Sequence, residues 1–130
     1  MSENPIAAWH ALIACADPAG LDQLLDEDVV FHSPVLYKPQ QGKALTSMYL
    51  HAAFQVLIND SFHYVREVVG KRDAVLEFVV MIDGIEINGV DMISWDETGR
   101  ITDFKVMLRP MKAIEVIRQK MAAMLEAMSA

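Results

Sequence analysis

Ile85-Glu-Ile-Asn-Gly-Val-Asp-Met-Ile-Ser-Trp95 alternates with a period of two, which places Ile85, Ile87, Asp91, Ile93 and Trp95 on one face of a strand and Glu86, Asn88, Met92 and Ser94 on the other. The first face is the apolar one and must meet a core, so Asp91 is a lone carboxylate among buried neighbours. Ionising it there is expensive. Raising a carboxyl pKa by about 3 units through burial costs roughly 4 kcal/mol, against the roughly 5–15 kcal/mol that holds a domain together. Such a residue needs a hydrogen-bond partner, contact with water in a cavity, or a chemical role.

Working outward, the same period of two recurs in Phe62–Val69, Ala74–Ile82 and Arg100–Arg109. The connectors Gly70-Lys-Arg-Asp73, Asp83-Gly84 and Asp96-Glu-Thr-Gly99 are turn-like and short, which predicts an antiparallel meander. Upstream the period lengthens. Lys43–Leu57 carries apolar residues at Leu45, Met48/Tyr49, Ala52/Ala53 and Val56/Leu57, the spacing of a helix with one buried face. Asn4-Pro5 is a helix start followed by the stripe Ile6, Trp9, Leu12 and Ile13, ending near Ala16. Asp17-Pro18 repeats that start, with Leu21, Leu24 and Leu25 in a short second helix that stops at Asp26-Glu-Asp28. Val29–His32 reads as a strand closed by Ser33-Pro34, and Tyr37–Gly42 as a loop. The stretch from Pro110 to Met128 places Ile114, Ile117, Met121, Met124 and Met128 along one side of a terminal helix.

The 130 residues, 53 % of them apolar, suffice for the core of a single domain spanning 1–130. A net charge of −7 opposes binding to nucleic acid or to an anionic membrane. Cys15 is the only cysteine, so there is no intrachain disulfide and no thiolate metal site. His10, His51 and His63 lack metal-ligand spacing, and neither metal nor cofactor is expected. The N-terminus has no signal-peptide layout, and no apolar run approaches the ~20 residues of a membrane span. The expectation is a cytoplasmic protein.

Helices followed by a meander folded over them resemble the nuclear transport factor 2-like fold, which includes ketosteroid isomerases and SnoaL-like polyketide cyclases. The resemblance runs from about Pro5 to Arg109 and is strongest at Leu24-Leu-Asp-Glu-Asp-Val-Val-Phe-His-Ser-Pro34 and Val90-Asp-Met-Ile-Ser-Trp-Asp-Glu-Thr-Gly-Arg-Ile101. It implies an α+β fold: N-terminal helices packed in a strongly curved antiparallel sheet, a cone-shaped barrel, plus a C-terminal helix. In ketosteroid isomerases the residue before that proline is an acidic general base, and here it is Ser33. A tyrosine on their first helix donates to the oxyanion, and the matching position holds Trp9. Their second donor, a protonated aspartic acid on the penultimate strand, is matched by Asp91. The resemblance therefore implies the isomerase pocket without its complete machinery. The inward positions Phe104, Val106 and Leu108 also lack the paired acids of epoxide-opening relatives.

Two readings stand for Asp91: a neutral acid or poised base in an apolar pocket, or an aspartate held by Trp9, by a backbone N–H near Gly89, or by cavity water. His32 is the candidate replacement base, although alternation turns it away from the cavity unless a bulge precedes Pro34. Trp9 and Ser33 are candidate polar contacts for a ligand. Tyr49, Phe54, Phe78, Trp95, Phe104 and Leu108 either line a hydrophobic cavity or fill a core. The outward faces carry Val75, Glu77, Val79 and Met81 on one strand and Asp103, Lys105, Met107 and Arg109 on another. A half-apolar outer face predicts a homodimer through the sheets, as the resemblance also implies, with Lys105 and Arg109 available to Glu77 or Asp103. The expected function is binding of a small hydrophobic molecule, with Asp91 as the acid/base of a cofactor-free isomerase or cyclase. The alternative is a non-catalytic dimerisation or partner-binding module.

Overall fold

The structure, a computed structural model, describes residues 4–128. Helix α1 (Ile6–Cys15) begins where Asn4 Oδ1 accepts the N–H of Ile6 at 2.8 Å and ends at Ala16, whose φ of 51° is left-handed. Asp17 accepts the N–H of Ala19 at 3.0 Å, and the turn it starts at Pro18 is a 3-10 helix (Pro18–Gln23) rather than an α-helix. Leu24 and Leu25 were expected in that helix. Leu25 instead opens strand β1 (Leu25–His32), fully buried beside Ile101.

A two-residue strand β2 (Gln40–Gln41) follows within the expected loop, pairing with Val30 and Phe31. Then come α2 (Lys43–Leu57), β3 (His63–Val69), β4 (Asp73–Ile82), β5 (Ile85–Trp95), β6 (Ile101–Arg109) and α3 (Met111–Met128). The turn at Asp83-Gly84 has positive φ at both residues, 52° and 76°, as a tight hairpin requires.

The six strands form one curved sheet in the order β2-β1-β6-β5-β4-β3. From β3 to β6 it is the expected antiparallel meander, but β1 joins β6 in parallel, with Phe31 beside Phe104 and His32 beside Lys105. Irregular register between Leu25 and Val30, after Tyr64 and after Ser94 bends the strands. The concave face carries two apolar clusters. One joins α1, α2, β1 and the middle of β4–β6 around Trp9, Phe31, Phe54 and Phe104. The other joins the end of α2 and the β4–β5 hairpin to α3 through Leu57, Phe78, Ile87, Ala113 and Ile117.

Only Ala113 and Ile117 of α3 are fully packed. Its second half stands over a groove of about 470 Å³ and is tied to the hairpin by Lys120 and Asp83 at 3.0 Å. No described helix is long and apolar enough to cross a membrane.

Candidate acid–base site

Asp91 lies on the inner face of β5, as alternation requires, directly opposite Leu76 of β4 and Val106 of β6. Two positions before it is Gly89, and there the absence of a side chain matters. A Cβ at Gly89 would stand 2.4 Å from Phe78 Cζ and 2.7 Å from Leu108 Cδ2, so the Phe78 ring occupies the gap that glycine leaves. Phe62 stacks on Phe78 with centroids 5.0 Å apart. Tyr64 stands edge-on to Phe62, Phe78 and His10, at 5.2, 6.3 and 5.2 Å. Three rings thus fix the tyrosine across β4, with its hydroxyl directed at Asp91.

The polar result is a chain of three side chains. The indole Nε1–H of Trp9 donates to Tyr64 Oη at 2.9 Å, and the Tyr64 hydroxyl donates to Asp91 Oδ2 at 2.7 Å. A phenol has one proton, and the indole can only donate, so the direction of the chain is fixed. Asp91 Oδ1 has no hydrogen-bond partner among the described residues. It is not sealed off, because no buried side-chain nitrogen or oxygen among the described residues lacks a hydrogen bond, and Asp91 lines the adjoining cavity.

Burial pushes the Asp91 carboxyl up to about 7, while the Tyr64 hydrogen bond pulls the other way by favouring the charged form. The Tyr64 phenol is pushed far above its ordinary range, first by burial and then by the negative charge of Asp91, and it stays protonated.

Trp9, Phe54, Phe62, Phe78, Phe104 and Val106 are among the walls of this cavity, and among the described residues Asp91 is the one ionisable group lining it. Its free volume of about 30 Å³ is room for a water molecule or two, or for one small group at the end of a ligand, not for a whole organic molecule.

Of the residues singled out in the sequence, the structure brings together Asp91, Trp9, Phe54, Phe78 and Phe104 at this cavity. Trp95 is buried in the adjoining core, and Tyr49 is half-buried with its ring 6.1 Å from Phe31. His32, Ser33 and Leu108 line a separate groove. The His32 ring faces Asp103, with Nε2 and Oδ1 3.0 Å apart, so it is away from Asp91 as strict alternation requires and no bulge turns it round. Ser33 Oγ accepts the N–H of Val35 at 3.1 Å in a local turn. Trp9 reaches Asp91 only through Tyr64, which the sequence reading passed over. The signal was its place at the start of a period-two strand beside Phe62. Among the described residues, no group of three or more His, Cys, Asp or Glu could hold a metal ion.

The family model described as SnoaL-like domain matches residues 6–104. A steroid delta-isomerase from Pseudomonas aeruginosa is similar over 96 % of this chain and 92 % of its own, with 40 % identity and a TM-score of 0.91. A protein with a cystatin-like fold from Silicibacter pomeroyi is 34 % identical over 91 % of this chain and 82 % of its own, with a TM-score of 0.83. An ntf2-like protein from Mesorhizobium loti, 18 % identical over 81 % of this chain and 88 % of its own with a TM-score of 0.70, shares the fold. No curated protein matches the chain.

Proposed function

The chain belongs to the SnoaL-like domain family, and on that premise we propose that it binds a small, largely hydrophobic molecule and moves a proton on it without a cofactor, with Asp91 as the acid/base. The observation that carries this is a solitary carboxyl, oriented by Tyr64 and raised to about 7 by burial, that faces an apolar cavity. Near neutral pH such a group exists in both protonation states, the condition under which one residue takes a proton and returns it elsewhere.

Because Tyr64 spends its proton on Oδ2, the proton of neutral Asp91 belongs on Oδ1, aimed into the cavity at a ligand acceptor such as a carbonyl oxygen. The ionised form offers the same oxygen as a base. An isomerase among the similar structures supports the reading. Serine in place of the acid before Pro34, outside this cavity, argues against the two-carboxylate chemistry of ketosteroid isomerases. The test is a titration of the Asp91 carboxyl carbon by NMR. A midpoint near 7 is expected, and a midpoint near 4 removes the proposal.

The rival reading, a module for self-association, rests on the outer face of the sheet. Val68, Val75 and Met92 lie side by side there, and Val68, Val75, Met81 and Met107 are 60, 38, 44 and 50 % exposed. We take a second copy of the chain as the occupant, centred on β3 and β4, because such a patch is costly to leave in water. The acids expected to pair across the dimer are engaged within the chain: Glu77 with Arg66 at 3.1 Å and Asp103 with His32. The contact is therefore apolar. Sedimentation should give a dimer for the native chain and a monomer for Met81→Glu, and a monomeric native chain would exclude it.

A further inference from the structure

A second hollow, of about 400 Å³, opens where β1 leaves the sheet at Ser33-Pro34, between the segment to Tyr37, the free edge of β6 and the start of α3. It has the size of a small-molecule site, which the cavity beside Asp91 lacks. The two hollows share a wall: Val106 lines both. Val106 is also the residue directly opposite Asp91 across β5 and β6, so its side chain lies beside the carboxyl on the same face. Leu108, which lines the groove, leans into the space over Gly89.

The groove's apolar walls include Leu36, 43 % exposed, Tyr37, which is wholly exposed, and Ile114. Its polar side is cationic. Lys105 lines it and has no ion-pair partner among the described residues, whereas the neighbouring Asp103 is taken by His32. An unpaired lysine in a chain of net charge −7, beside uncovered apolar surface, is complementary to an anion with an apolar body.

We propose that this groove is the outer chamber of the Asp91 cavity and that its ligand is an organic carboxylate, its head at Lys105, its body over Leu36, Leu108 and Ile114, and its far end at Val106. This deepens the proposed function and rests on Asp91 being the reacting group. Passage of the ligand's end beyond Val106 brings it to Asp91 Oδ1.

The test uses a dansyl-labelled fatty acid and its methyl ester, followed by fluorescence near neutral pH. The acid should bind about ten-fold more tightly than the ester, the difference that one charge-assisted contact gives. Lys105→Met should abolish that difference and leave ester binding as it was, which also reports an intact fold. Binding of the acid should move the NMR signal of the Asp91 carboxyl carbon. Equal binding of acid and ester, no binding of either, a preference that survives Lys105→Met, or an unmoved Asp91 signal would each overturn the proposal. So would loss of the preference in Lys120→Met instead, since that lysine borders the groove under α3. Failure of the underlying reading is separate, because an ordinary Asp91 midpoint is measured on the free protein without the probe.

Discussion

Asp91→Asn is expected to abolish the loss of stability that this one residue imposes on the protein as pH rises from about 4 to about 8. Burial raises the folded-state value to about 7. An unfolded aspartate titrates near 4. The folded state therefore holds the proton more tightly. The contribution of Asp91 is complete below the unfolded value and is lost as pH rises through about 7, when a charge must be carried in an apolar site. The size follows from the separation of the two values, on the order of 4 kcal/mol.

Asparagine is neutral throughout, and its carbonyl oxygen still accepts the Tyr64 proton, so the three-residue chain is kept. Urea unfolding should find the variant close to the native protein near pH 4 and more stable near pH 8. Parallel curves for the two proteins would show that Asp91 does not ionise against burial.

Tyr64→Phe should do the opposite and cost stability at every pH. The hydroxyl both accepts from Trp9 and donates to Asp91, so its removal strands two buried groups, at about 1–3 kcal/mol each. A loss of about 2–6 kcal/mol is expected, with the ring contacts to Phe62 and Phe78 retained. The same change removes the bond that favours ionised Asp91, so the carboxyl midpoint should move above its native value. A downward shift or an unchanged stability would break the chain as drawn. Trp9→Phe is the comparison: it takes the donor from the far end and leaves Tyr64 on Asp91.

Alternation carried the reading where it was unbroken. Along β5 every second residue from Ile87 to Trp95 is buried, and Asp91 falls on that face. Where a strand is irregular the signal failed. In β1 three acidic residues separate buried Leu25 from buried Val29, and the register shifts between them, so the run looks like a helix stop. In β3 nearly every residue is exposed and the register slips after Tyr64, so its one decisive side chain does not stand out.

Two-residue β2 is too short for any period. Nor does a pattern internal to β1 say that its neighbour is β6, or that the two run the same way, because pairing partners are chosen across the whole chain. The cavity was inferred from apolar and aromatic residues, but composition does not distinguish a filled core from a hollow one. The free space beside Asp91 is about 30 Å³, and larger space lies at the groove around Ser33.

That pairing of β1 with β6 bears on how the chain is made. A polypeptide leaving the ribosome amino end first presents β1 well before β6, with α2 and four strands between them. Until Ile101–Arg109 emerges, β1 has only the two residues of β2 for a neighbour, and the faces that α1 and α2 will cover are incomplete. Closure of the sheet is thus a late event that joins distant parts of the chain, the kind of step that slows folding and lengthens exposure to aggregation.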